Sequence, residues 1–168
     1  TYSTNGTSTV TLIVNALGCI STHTENITIN PLPVPSFTIT PNNGCTPLTS
    51  TFTNTSPFTA GNTFLWEFGN GNTSTNQNPG PENYTTVTGV DSIYTVQLTI
   101  TTANGCIDSI SNTITVHPLP IADYTAIPDT VCATTPIGFL NNSFGASTFS
   151  WNFGDGSPVF NTASTAPF

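Results

Sequence analysis

FLWEFGNG, residues 64–71, returns as FSWNFGDG, residues 149–156, and the reading of this stretch decides the fold. Aromatic residues stand at every second position, Phe64, Trp66 and Phe68 in one copy and Phe149, Trp151 and Phe153 in the other. One face of each strand is therefore made for a core and the other for water. The glycines that follow, Gly69 and Gly71 or Gly154 and Gly156, bracket a single Asn70 or Asp155. A carboxylate among glycines invites a metal or catalytic reading. Calcium, however, takes roughly six to eight oxygens, and the matching position in the other copy is an amide. The turn reading is the stronger one: the glycines permit a tight reversal and the Asn or Asp side chain bonds local backbone.

The repeat extends well beyond these octapeptides. VTLIVNALGCISTHTENITINPLPVPSFTIT from Val10 matches VQLTITTANGCIDSISNTITVHPLPIADYTA from Val96, with one residue of slippage before the Gly-Cys pair. Cys19 and Cys106 lie 87 residues apart, as do Cys45 and Cys132, and the tryptophan stretches are offset by 85. A period of that size suits a small all-β module. Tyr94, Val96, Leu98 and Ile100 alternate with polar residues, Asn104-Gly105 and Pro41 to Gly44 read as turns, and no stretch carries a helical stripe. The expected fold is all-β, an antiparallel β-sandwich.

Composition narrows the function. The chain has no Lys or Arg against eight Asp and Glu, so it has no cations with which to displace counterions from phosphate. Nucleic acid and anionic membranes are excluded as partners. No apolar run has the length of a membrane span, and no signal-like segment opens the chain. Ser and Thr supply 50 residues and Asn 19, which makes the surface rich in hydroxyls and amides instead of charges. Four Cys with no Met, in a Thr-rich strand composition, fit an oxidising, extracellular setting.

WEFGNG and WNFGDG, each preceded by a strand such as TSTFTNTS and, in the middle repeat, followed by YTVQLTITTANG, resemble the PKD domain. That family is an immunoglobulin-like sandwich common in tandem on cell-surface proteins. Its usual form is WDFGDG, from which this chain departs at Glu67, Asn70 and Asn152. The resemblance covers essentially the whole chain. It implies about seven strands per module, with Trp66 and Trp151 in the core. Residues 1–33 then read as the last strands of one module, 34–120 as a complete module, and 121–168 as the first half of a third. Joining the chain's end to its own start reads through as one module. The expectation is a two-module unit of a longer array, with 121–168 completed by residues equivalent to 1–33 of the next unit.

Immunoglobulin-like topology bears on the cysteines. It places Cys19 and Cys106 at the pole where a module begins and Cys45 and Cys132 at the far pole, roughly 20 Å or more apart within one module. Pairing is therefore expected between units: Cys45 with Cys19 of the next, and Cys106 with Cys132 of the previous. Buried free thiols are the alternative. No Cys-x-x-Cys or Cys/His cluster points to a metal, and no cofactor is expected.

His23 and His117 are not at equivalent repeat positions and have no evident nucleophile, so no catalytic residue is assigned and no enzyme is expected. Glu67, next to Trp66, is expected on the outer face. Phe58, Tyr84, Phe144 and Phe160 fall in loop-like segments and are candidates for stacking on sugars, against a more ordinary role in cores and module junctions. Asn5, Asn26, Asn54, Asn72, Asn83 and Asn141 each begin an Asn-x-Ser/Thr triplet. Asp91-Ser92-Ile93, Asp108-Ser109-Ile110 and Asp129-Thr130-Val131 resemble the O-glycosylation signal of Bacteroidota, whose surface proteins often carry PKD arrays; the resemblance implies glycans on Ser92, Ser109 and Thr130. The expected function is a structural repeat unit of an extracellular, cell-surface filament, stalk or adhesin, with adjacent units or copies of itself as partners. The alternative is a carbohydrate-binding accessory module of a secreted hydrolase.

Overall fold

The computed structural model describes Tyr2, residues 4–87 and residues 89–163, and every regular element among them is a strand. Strands β1 (Gly6–Ala16) and β2 (Cys19–Ile29) pair antiparallel in full register from Gly6↔Ile29 to Ala16↔Cys19. The two-residue loop is Leu17-Gly18, both at positive φ (53° and 88°), and the Gly18 amide donates to Asn15 Oδ1 at 3.1 Å. Positive φ at both positions is what a tight hairpin turn requires if its strands are to keep their twist.

The middle of the chain supplies β3 (Phe37–Thr40), β4 (Asn43–Cys45), β5 (Leu48–Asn54), β6 (Thr63–Glu67), β7 (Thr73–Ser74), β8 (Glu82–Tyr84), β9 (Ser92–Thr101) and β10 (Ile107–His117). They form a five-stranded sheet in the order β4-β10-β9-β6-β7 and a three-stranded sheet in the order β3-β5-β8. One pairing departs from the antiparallel expectation: β4 runs parallel to β10, with Cys45 opposite His117. The short β4 lies between two turns, so it leaves the three-stranded sheet and joins the other. The last segments are β11 (Tyr124–Ile127) with β12 (Gly138–Asn141), and β13 (Phe149–Trp151) with β14 (Phe160–Thr162), two antiparallel pairs.

Two compact units divide the chain. The first comprises Thr1–Thr40, Thr51–Glu82 and Tyr94–Thr113. In its core Phe37 and Phe52 of one sheet meet Trp66 of the other and Phe68 just beyond the end of β6, all buried. Phe37 sits edge-on to Trp66 with centroids 5.1 Å apart at 74°, and Trp66 and Phe68 are stacked at 10°. Such ring pairs add about 0.5–1.5 kcal/mol each beyond area burial. The indole N–H, which would otherwise be costly to bury, donates to Asn76 O at 3.0 Å.

The second unit comprises Pro41–Ser50, Asn83–Ile93 and Ile114–Phe168. It buries Leu48, Ser50, Tyr84, Ile114 and Val116, and the Ser50 hydroxyl donates to Pro41 O at 2.7 Å. It also holds a second aromatic cluster. Tyr124 sits edge-on to Trp151 at 72°, and Trp151 and Phe153 are stacked at 12°. The pairs Phe52–Phe68 (4.8 Å) and Phe139–Phe153 (5.1 Å) also correspond. The arrangement of the first cluster thus recurs ring for ring. What differs is cover: Trp66 and Phe68 are fully buried, whereas Trp151 and Phe153 are only half-buried.

Candidate functional site

The two Gly-Asx-Gly turns are built alike. Gly69 and Gly154 have φ of 77° and 75°, and Gly71 and Gly156 have 95° and 84°. Asn70 Oδ1 accepts from the Asn72 amide at 3.0 Å, and Asp155 Oδ1 accepts from the Ser157 amide at 2.9 Å. Bonds from the Ser157 hydroxyl and amide hold the exposed Asp155 carboxyl below its ordinary value of 3.8. In the first turn Glu82 Oε2 also accepts from the side-chain amides of Asn70 (3.1 Å) and Asn72 (2.7 Å). Glu82 has no local signature in the sequence, because it arrives from a separate strand, β8. Among the described residues no group of three His, Cys, Asp or Glu side chains converges on a possible metal position.

The two turns differ in one respect. A Cβ on Gly69 would lie 2.5 Å from Thr95 O, because the backbone of β9 passes against it, whereas a Cβ on Gly154 would meet nothing within 4 Å.

His117 has partners that the sequence did not reveal. Nδ1 lies 2.9 Å from Asp91 Oδ1 and Nε2 lies 3.0 Å from Asn43 Oδ1. A His-Asp pair is two-thirds of a hydrolytic triad. Here the nitrogen that a triad aims at a nucleophile faces an amide oxygen instead, so the constellation has no attacking group. It is a clasp at the end of β10. His23 bonds Glu25 at 3.2 Å on an exposed strand face, and Glu67 is exposed.

The four cysteines are thiols in the single chain, Cys106 half-buried and Cys19, Cys45 and Cys132 exposed. Cys19 opens β2 after its turn, and Cys106 immediately precedes β10. Cys45 lies opposite the last residue of β10. The Cys106 thiol is 3.9 Å from Asn30 O, in the segment that follows β2.

The modification candidates fall into different environments. Ser109 and Thr130 are exposed, while half-buried Ser92 shares a 2.7 Å hydrogen bond with Thr86 Oγ1. Asn5, Asn26, Asn72 and Asn83 are exposed. Asn141 is buried and Asn54 half-buried, each accepting from the amide two residues on, at 3.0 and 2.9 Å. A glycan on either requires that turn to open. Of the aromatic candidates for sugar stacking, Tyr84 is buried, while Phe58, Phe144 and Phe160 are exposed.

The remaining candidate surface is apolar. Neither face of β1 is covered, which leaves Val10, Leu12, Ile13 and Val14 exposed. In the second unit a cleft of about 440 Å³ is lined by Tyr124, Asn141, Phe149 and Trp151 among others.

The crystal structure of the PKD1 domain from Vibrio cholerae metalloprotease PrtV aligns at 35% identity, over 51% of this chain and 98% of that one, with a TM-score of 0.41. The chain is similar to PKD domains. The PKD1 domain of Vibrio anguillarum Epp aligns at 25% identity over 54% of this chain and all of that one, again with a TM-score of 0.41. Carbohydrate-binding modules from the β-sandwich superfamily align at 18% identity over 66% of this chain and 54% of that one, with a TM-score of 0.45. No protein-family profile and no curated protein matches the sequence. The all-β sandwich assignment stands on the strand order and the aromatic core, independently of these likenesses.

Proposed function

We propose that this chain is a structural repeat unit of an extracellular filament, stalk or adhesin built from tandem PKD-like modules. The observation that carries the reading is the recurrence of one complete core motif, four aromatic rings and a Gly-Asx-Gly turn, at two places in the chain with matching ring angles. Repetition of one architecture along a chain is what a load-carrying element needs. The linker residues support it: Pro33 and Pro35 are buried, so the connection entering the middle strands is packed down, and proline leaves it little flexible length. A net charge of -8 keeps neighbouring fibres from collapsing on one another. Disulfides between units and glycans on Ser109 and Thr130 belong to the same reading.

The test is imaging of native surface material with an antibody raised against this chain. Label spaced regularly along fibres is the expected result, with an axial repeat of roughly 70–90 Å for a two-module unit of seven-stranded sandwiches. Label confined to isolated globular particles that co-purify with a hydrolase refutes the reading.

A further inference from the structure

We propose that β1 and β2 of one copy complete the open half-sandwich β11 to β14 of a second copy, so that the chain assembles head to tail by strand donation. This rests on the repeat-unit reading above and adds a defined partner, surface and register. The occupant is identified by the middle of the chain, where the sequence twin of the β1–β2 hairpin, β9–β10, already performs this role. There β9 pairs with β6, Leu98 lying opposite Trp66 and Ile100 opposite Phe64. The matching residues are Leu12 with Trp151, and Val14 with Phe149.

Exposure separates docked from undocked twins. Val96, Leu98 and Ile100 are 0, 0 and 1% exposed, and their counterparts Val10, Leu12 and Val14 are 42, 61 and 52% exposed. Ile114 is buried, and its counterpart Ile27 is exposed. The contrast is greatest on the inner face. At the outer position Ile107 is 59% exposed in the complete sheet and Ile20 66% in the hairpin. The acceptor shows the complementary gap. The space beside Gly154 is empty, whereas the backbone of Thr95, the twin of Thr9, fills the same place beside Gly69. Side chains alone would bury on the order of 500 Å² per partner, against ~800 Å² in a standard stable interface, and new strand pairing supplies the remainder.

The same register brings two cysteines together. Cys45 lies opposite His117, so its twin Cys132 on the acceptor lies opposite the His117 twin, Asn30 of the donor. In the donor, the Asn30 carbonyl is 3.9 Å from its own Cys106 thiol. Docking therefore places acceptor Cys132 beside donor Cys106, within the separation a disulfide spans. The bond forms as the two thiols lose two electrons and two protons to a disulfide oxidant such as oxidised glutathione, which is reduced to two thiols.

The test is sedimentation of the chain under reducing conditions from roughly 1 to 100 µM, the range that resolves ordinary protein affinities. Oligomers that grow with concentration are expected, whether open chains or closed rings. Leu12→Asp removes the donor face. Gly154→Asn blocks the acceptor while keeping a residue that tolerates the left-handed turn. Each variant alone should stay monomeric, and the two mixed should stop at a dimer. A cooperative urea unfolding transition followed by far-UV circular dichroism confirms in every case that the middle strands remain folded. Oxidised glutathione should trap the wild-type oligomers covalently, and Cys106→Ser or Cys132→Ser should abolish trapping without abolishing assembly. A monomeric wild-type chain across the range, or assembly unaffected by both Leu12→Asp and Gly154→Asn, overturns strand donation. Either result leaves the filament reading to the imaging of native fibres, so the two fail separately.

Discussion

Gly69→Ala sets the close approach of β9 to the tryptophan turn against a control in the same turn. Ala at a φ of 77° costs roughly 1–2 kcal/mol from the left-handed backbone alone. The added methyl would also sit 2.5 Å from Thr95 O and 3.0 Å from Thr95 N. Relief requires β9 to move by most of an ångström while its neighbour Val96 is fully buried, and such overpacking costs about 1–3 kcal/mol. The total is about 2–5 kcal/mol, a large part of the ~5–15 kcal/mol that holds a domain folded. Gly71→Ala has a comparable φ of 95° and nothing within 4 Å, so it should cost only the backbone term. Both are measured by urea unfolding in a Trp151→Phe background, where Trp66 is the only tryptophan. Equal costs for the two substitutions would refute the close approach, and with it the argument that Gly154 has a vacant counterpart.

Three further outcomes follow from the same geometry. The Asp155 carboxyl is held below 3.8, so the stabilisation of its turn is present above that value and is lost as pH falls through the lower folded value. The Ser157 amide shift in NMR should titrate with a midpoint below 3.8, and Asp155→Asn should abolish the titration. Ser50→Ala leaves Pro41 O without its buried donor and should cost about 1–3 kcal/mol in the same urea assay. Peptide mass spectrometry of native material should find glycan on Ser109 and Thr130 and none on buried Asn141, whose occupancy would require the Asn141–Ser143 turn to be open when modified.

The aromatic framework was legible because alternation, a local pattern, dictates it: Trp66, Phe68, Trp151 and Phe153 stand where period two puts them. The Gly-Asx-Gly turns were legible for the same reason, since positive φ leaves its mark as glycine. What escaped depends on pairings between distant residues. Tyr84 lies in a three-residue strand too short to show a period, and it is a core residue. The partners of His117 come from 26 and 74 residues away, and Glu82 reaches the Asn70 turn from twelve away. The parallel pairing of β4 with β10 has no local signature either. The uncovered inner face of β1 follows from the repeat: residues 1–33 read as the last strands of a module, and β1 and β2 pair only with each other.

Strand donation is the central claim, and the surroundings of Trp151 report it directly. In a Trp66→Phe chain Trp151 is the only tryptophan, half-buried in the single copy. Its emission should shift to the blue as concentration rises, tracking assembly, as Leu12 of a second copy covers it in the way Leu98 covers Trp66. The Leu12→Asp version should show no shift. An emission maximum that stays constant while the chain assembles, or that shifts equally in Leu12→Asp, would contradict the account.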